Sequence, residues 1–501
     1  WIAVVGFVLF WGAGYCGWSR WLMDRVFQLR PTEQTPAHNP CLADGMDYVP
    51  TRQAVLWGHH YASIAGAAPI IGPAVAVFWG WLPALLWIVF GNILIGAVHD
   101  FGALVISVRY QGKSMAHIAG EVVSPRVRLL FQLVVYFLIW MVLAVFGLAI
   151  GILFVNHPAT VLPINAQILL AVVMGFWLNR HQKALLLPSI IALVLMYALI
   201  PVGMQVPIAL PGLDMGFIAI DPVTLWAVIL LVYSGVASVL PVWLLLQPRD
   251  YINAHQLLVG LGLLVVGLAV LNPTLTAPAI NTTAFDHGPP IIPVLFVTIA
   301  CGAISGFHGL VASGTTSKQL DKMSDARPIG YGGMLGEGML AVIATLAVAA
   351  GLEHWHRHYT SWNESGVLAI DRFVQGAGAF IQALGIPEGG AQALVAILAI
   401  SFAATSMDTA ARIQRLVVME VGYSLQWRWL QKPMVAVGVA IVPAFFLILG
   451  GKAAWGPLWL LFGTTNQLIG GITLLILWVY LLKTNRPVWP IVLPLVFVVS
   501  A

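Results

Sequence analysis

The chain reads as an all-α, polytopic membrane protein: one transmembrane domain over residues 1–501, with about fourteen membrane-spanning helices. Three observations lead there. The first is composition: 60% of the residues are apolar and only 8% are charged, against roughly 25% charged in soluble domains. So few charges cannot cover a water-facing surface, whereas lipid tails solvate Leu, Val and Ile without penalty. The second is that apolar runs of spanning length recur with no polar linker between them, and the mean hydropathy is +0.92. The third is the placement of the basic residues.

The runs fall at 2–19, 54–77, 82–106, 127–155, 161–178, 184–203, 221–246, 256–272, 290–312, 331–351, 389–411, 433–449, 455–481 and 488–501. All but 488–501, which is shorter, have the roughly 17 or more residues that can cross about 30 Å of hydrocarbon as a helix. The first is followed rather than preceded by basic residues, so it reads as a span and not as a cleaved leader. The stretch at 364–384 is less apolar and is placed outside the membrane.

With the loops numbered in order, 20 of the 23 Lys and Arg fall in odd loops and only Arg357, Arg372 and Lys452 in even ones. The positive-inside rule then puts odd loops in the cytoplasm and both termini outside. This implies a multi-pass protein of a cell inner membrane, with the lipid bilayer as its surroundings. The net charge of +4 follows from the same loops, so no nucleic-acid partner is implied. Cys16, Cys41 and Cys301 are scattered and form no CxxC pair, which points to neither a disulfide framework nor zinc. No cofactor is expected.

A lipid-embedded helix can break only where the freed backbone groups line a cavity or are buried in protein. The second span carries Gly66, Pro69, Gly72 and Pro73 within a turn and a half, so a break is expected near 66–69. The seventh, Tyr233-Ser234-Gly235-Val236-Ala237-Ser238-Val239-Leu240-Pro241, has similar ingredients, runs in the opposite direction and begins five spans later. That layout suggests a LeuT-like core of two inverted five-helix repeats: 54–203 and 221–411, with 2–19 as an extra N-terminal helix and 433–501 as extra C-terminal helices. A substrate site is expected between the halves, at His60, Ser63, Gly66, Ala67, Ala68 and Pro69 on one side and Ser234, Gly235 and Ser238 on the other. Half-helix N-termini there offer N–H groups to an anion. Ser313, Thr315 and Thr316 either hold a sodium ion or cap a helix end.

Ionisable residues inside spans are costly and point to function. Glu337, Asp100 and Asp408 qualify as ion-coupling or gating groups. Asp408 has Arg412 one helical turn away as an ion-pair partner, and Asp100 lies near the cytoplasmic end of its span. Glu337 has no local basic partner, which leaves a proton-carrying and a structural role equally open. His59, His60 and His308 lie in or beside the interrupted spans. His354, His356 and His358 alternate on the outer face, without a fourth ligand in register for a metal.

Several blocks resemble the carbon starvation protein A family: Asn39-Pro40 with Asp44-Gly45-Met46-Asp47-Tyr48-Val49-Pro50-Thr51; the run Gly58 to Pro73; Gly96-Ala97-Val98-His99-Asp100-Phe101; Ser305-Gly306-Phe307-His308; Ser313 to Leu320; and Thr405 to Arg412. They occur in order over most of residues 38–420. Ser406-Met407 stands where the family pattern leads us to expect Thr-Leu. The resemblance implies a secondary transporter of peptides or pyruvate in the amino acid–polyamine–organocation superfamily. It implies import by alternating access, with protons as the coupling ion and sodium as the alternative. A solute channel would need a charged ring or a carbonyl filter, and an enzyme a motif such as HExxH or GxSxG. Neither pattern is seen, so no enzymatic role is expected.

Overall fold

The computed structural model describes residues 1–45, 47–180, 186–214, 219–362, 366 and 368–501. Met46, Lys183, the first two residues of the predicted 184–203 span and part of the 364–384 stretch lie outside the described residues. Among the described residues ten helices are long and apolar enough to cross a bilayer: Ile2–Phe27, Trp81–Arg109, Pro125–Asn156, Pro158–Trp177, Leu186–Gln205, Pro222–Val239, Leu246–Leu271, Met323–Ala350, Glu388–Ser424 and Gly451–Lys483. A further passage is the pair Gln53–Ile64 and Ala68–Trp79, which meet at a 43° bend. Pro433–Ile448 and Trp489–Ser500 are shorter apolar helices. The chain is a multi-pass α-helical membrane protein.

Local chemistry starts these helices where they start. Asp221 caps Pro222–Val239 by accepting from the N–H groups of Val223 (2.9 Å) and Thr224 (3.2 Å), with Pro222 in the first turn. Ser124 does the same for Pro125–Asn156. Such caps satisfy N–H groups that have no partner within the helix. The outer face is apolar and exposed, as at Leu169, Val173, Leu187, Val194, Met434 and Phe446, which suits lipid rather than water.

Contacts between loops sort them onto two ends. At one end Arg109 pairs with Glu33, Arg412 with Asp47, Lys483 donates to the Val122 carbonyl, and Thr51 bridges to Leu320. At the other, Asn281 donates to the Phe78 carbonyl, Thr276 to those of Ala349 and Leu352, and Asn156 to Asp371. These odd loops thus share one end and these even loops the other. The 369–382 stretch is an amphipathic helix at the even-loop end, not one of the spanning helices.

Several boundaries differ from the sequence reading. Ile2–Phe27 and Glu388–Ser424 run beyond 19 and 411. Leu246–Leu271 starts ten residues before 256 and takes Arg249 and Asp250, expected in a loop, into the core, each 1% exposed. The seventh span is not broken at Tyr233–Ser238. Its helix runs through these residues to Val239. Pro241 sets the end: it restricts Leu240 to an extended conformation (φ −74°, ψ 149°), one turn too late to unwind the span at mid-depth.

The second interrupted passage lies elsewhere, between Ile291 and Gln319. Helical pieces Ile291–Thr298, Ala300–Ala303 and Gly306–Val311 are separated by non-helical Ile299 and by extended Ile304 and Ser305. The freed backbone groups find buried partners, as membrane depth requires. Asn92 donates to the Gly302 carbonyl at 3.2 Å, and Asn466 accepts from the Phe307 N–H at 2.8 Å. Gly72, on the second half of the bent passage, packs so closely on this segment that a Cβ would lie 2.4 Å from the Thr298 carbonyl oxygen. The two interrupted passages therefore touch. They are antiparallel: Trp79 bonds the Pro289 carbonyl at one end and Thr51 the Gln319 carbonyl at the other.

Candidate functional site

The bend comes at Ala65, whose φ of −75° and ψ of 59° are not helical. The first half-helix closes with Ala65 N–H on the Tyr61 carbonyl, and the second restarts at Ala68. Pro69 lies in its first turn, where no N–H is needed. His60, Ser63, Gly66, Ala67, Ala68 and Pro69 are all buried. The Glu388–Ser424 helix clamps this turn. Ser406 donates to the Ser63 carbonyl at 2.9 Å, the Ser63 and Thr409 hydroxyls lie 3.2 Å apart, and a Cβ at Gly66 would meet the Ser406 Oγ at 2.5 Å.

Beside the bend the three predicted acids fall into two groups. In the first, the Asp100 carboxylate accepts from His99 Nδ1 at 2.7 Å and from His308 Nδ1 at 2.9 Å. His308 Nε2 lies 3.2 Å from Glu337 Oε2, at an angle too oblique for a hydrogen bond. All four side chains are fully buried. Asp100 thus orients both imidazoles through Nδ1 and leaves each Nε2 buried without a hydrogen-bond partner among the described residues. His60 Nδ1 bonds the Thr316 hydroxyl at 2.9 Å, and its ring edge faces Gly333 on the span that carries Glu337.

In the second group, Asp408 pairs with Arg249 and accepts from Ser234 Oγ at 2.8 Å and from the Tyr233 hydroxyl at 3.2 Å. Arg249 Nη1 also donates to Tyr233 at 3.0 Å. Next to it Asp250 meets His59 Nδ1 at 2.5 Å, and His59 Nε2 lies 3.4 Å from Thr315 Oγ1.

The structure revises several expected partnerships. Asp408 does not pair with Arg412. Arg412 instead binds Asp47 at 3.2 Å and the Leu240 carbonyl left over where the 222–239 helix stops, a good place for a cation. Asp100 is no interfacial cap, and Glu337 has a basic neighbour in His308, from another passage. Gly235 does not face the bend: a Cβ there would strike Ile441 Cδ1 at 2.2 Å, so it packs the 433–448 helix. Ser238 turns its hydroxyl back to the Gly235 carbonyl. Only Ser234 of that trio reaches the site, through Asp408. Ser313 and Thr315 donate to the Gly309 and Val311 carbonyls one turn earlier, where the helix widens at Ala312–Thr316. His354 and His356 rings are 6.0 Å apart, and among the described residues no three His, Cys, Asp or Glu side chains gather as metal ligands.

Arg249, Asp250 and His99 were not singled out by sequence reasoning. The usable signal was the Arg-Asp pair at the head of an apolar helix, where an ionisable pair marks function as readily as a loop.

Comparison with known proteins agrees with these blocks. The family model for carbon starvation protein CstA matches residues 1–386 and 357–501. The peptide transporter CstA of Bacillus subtilis is 32% identical over 495 residues, covering 92% of this chain and 81% of that protein. The pyruvate/proton symporter BtsT of Escherichia coli is 37% identical over 368 residues, covering 70% of this chain and 49% of that protein. Among solved structures, a mutant manganese transporter of Eremococcus coleocola superposes with a TM-score of 0.50 at 13% identity, over 92% of this chain and 88% of that one; the likeness is one of fold. With both matched stretches together spanning its length, this chain belongs to the carbon starvation protein CstA family.

Proposed function

We propose that this protein is a secondary active transporter that imports a small carboxylated nutrient, a peptide or pyruvate, by alternating access with proton coupling. The observation that carries the reading is the His99–Asp100–His308–Glu337 group, fully buried beside the bend at Ala65. It holds two acids and two imidazoles, and among the described residues no Lys or Arg is bonded to it. Its charge is set by bound protons, so it fits a group that loads and unloads them. The half-helix N-terminus at Ala67 and Ala68 offers amides to an anionic substrate group, and Asp408 gates from the adjoining helix. The relatives named as a peptide transporter and a pyruvate/proton symporter support the substrate classes and the ion.

The two antiparallel interrupted passages support an inverted repeat with a different division from the one read in the sequence. Its halves begin at Gln53 and Ile291 rather than at 54 and 221. Trp81–Arg109 then corresponds to Met323–Ala350, and Pro125–Asn156 to Glu388–Ser424. The short helices Met115–Val122 and Ala369–Gln382 sit in matching connections. With Ile291–Gln319 counted as one passage beside the bent pair and the two shorter helices, the chain crosses fourteen times. The basic odd-loop end then faces the cytoplasm of an inner membrane, with both termini outside.

Liposome uptake of labelled pyruvate and of labelled di- and tripeptides tests this. An inward proton gradient is expected to drive saturable accumulation of one class, abolished by a protonophore. Accumulation that requires sodium instead would shift the coupling to Ser313, Thr315 and Thr316. Flux that never saturates would indicate a channel.

A further inference from the structure

We infer that Arg249 is the anchor for the substrate's carboxylate and that Asp408 holds its place until substrate arrives, an inference that rests on the carrier reading above. Asp250, next to Arg249 in the chain, bonds His59 on the half-helix that ends at the bend, and Thr409, next to Asp408, has its hydroxyl 3.2 Å from that of Ser63, so the Arg249–Asp408 pair is held against the bent passage that carries the expected substrate position. Arg249 is 1% exposed. A guanidinium presents a planar fork suited to grip a carboxylate with two parallel bonds. Here Nη1 serves both Asp408 and Tyr233, while Nε is buried and has no hydrogen-bond partner among the described residues.

A buried charge is tolerated only when another charge covers it. An incoming carboxylate can replace Asp408 without changing the charge around Arg249. Asp408 then needs a new partner, and Arg412, one helical turn along, carries a buried Nε also without one. The pair therefore reads as an exchangeable clasp. A purely structural clamp between the 246–271 and 388–424 helices has the Asn253 contacts with Thr405 and Ser401 one turn away and does not require a charge.

The test uses the full-length protein in detergent and in liposomes, with four probes: pyruvate, pyruvamide, trialanine and trialanine amide. Wild type is expected to take up one acid and to bind it at least about tenfold more tightly than its amide, the scale of a lost charge-assisted bond. Arg249→Gln should erase that preference. Asp408→Asn should bind the acid at least as tightly as wild type, because the place-holder is gone. The double variant Arg249→Gln/Asp408→Asn, which buries no unpaired charge, should recover thermal stability without recovering the preference. A double variant that prefers the acid as wild type does would overturn the inference and make the pair a clamp. So would a wild type that binds acid and amide equally, leaving the carrier reading intact. Uptake of none of the probes by wild type would overturn that reading, and this inference with it.

Discussion

Two groups of buried acids lie against different faces of the same bent helix, and they are built differently. Asp408 faces a fixed cation: Arg249 stays charged at any pH the cell meets, so the pair can exchange partners but cannot store a proton cheaply. Among the described residues Asp100 and Glu337 pair only with imidazoles, which, unlike a guanidinium, exist both neutral and charged. One neighbourhood is suited to recognising a carboxylate and the other to counting protons. A symporter needs both, near one hinge but not fused, so that each can respond to the other through the helix between them.

Removing the cation from the first group should cost most. Arg249→Gln leaves Asp408 buried without its counter-charge, and a loss of about 3–5 kcal/mol in unfolding free energy is expected, read as a lower thermal midpoint in detergent. The matching change in the second group, His308→Gln, should cost less, about 1–3 kcal/mol, since protons can rebalance the remaining acids. Its mark should instead be functional: an inward proton gradient should no longer drive accumulation as it does in wild type. If His308→Gln destabilises more than Arg249→Gln, the contrast between the groups fails. At the hinge between them, Gly66→Ala forces a methyl group against the Ser406 Oγ. It should cost about 1–3 kcal/mol, with part returned in the Gly66→Ala/Ser406→Gly double variant. Tyr233→Phe removes one neutral hydroxyl shared by Arg249 and Asp408 and should cost about 1 kcal/mol, with little change in uptake.

The same contrasts show what a sequence gives away. The bend at Ala65 was legible because Gly66, Pro69, Gly72 and Pro73 crowd one stretch of helix. Similar small residues at 234–238 misled, because Gly235 is small to admit Ile441 from a neighbouring helix; close helix packing in membranes asks for the same residue types as unwinding does. The interruption at 299–305 has no proline of its own. It is sustained by Asn92 and Asn466, which sit far away along the chain. Glu337, Asp100 and Asp408 stood out as charges within apolar runs, but their partners did not. Arg249 lies 159 residues from Asp408, and His308 lies 208 from Asp100. Arg249, Arg412 and Arg415 counted as loop charges because composition assigns charge to water, yet all three are buried. The alternation of loops survives, since those residues lie near the end to which they were assigned.

The central claim is that the proton travels with the His99–Asp100–His308–Glu337 group and not with Asp408. It is tested most directly by recording internal pH and substrate uptake together in liposomes bearing wild type or Glu337→Gln. Wild type should acidify the lumen as substrate enters. Glu337→Gln should still exchange internal for external substrate at equal concentrations on both sides, while losing both the acidification and the accumulation driven by a proton gradient. Acidification by Glu337→Gln that keeps step with uptake as in wild type would contradict the account.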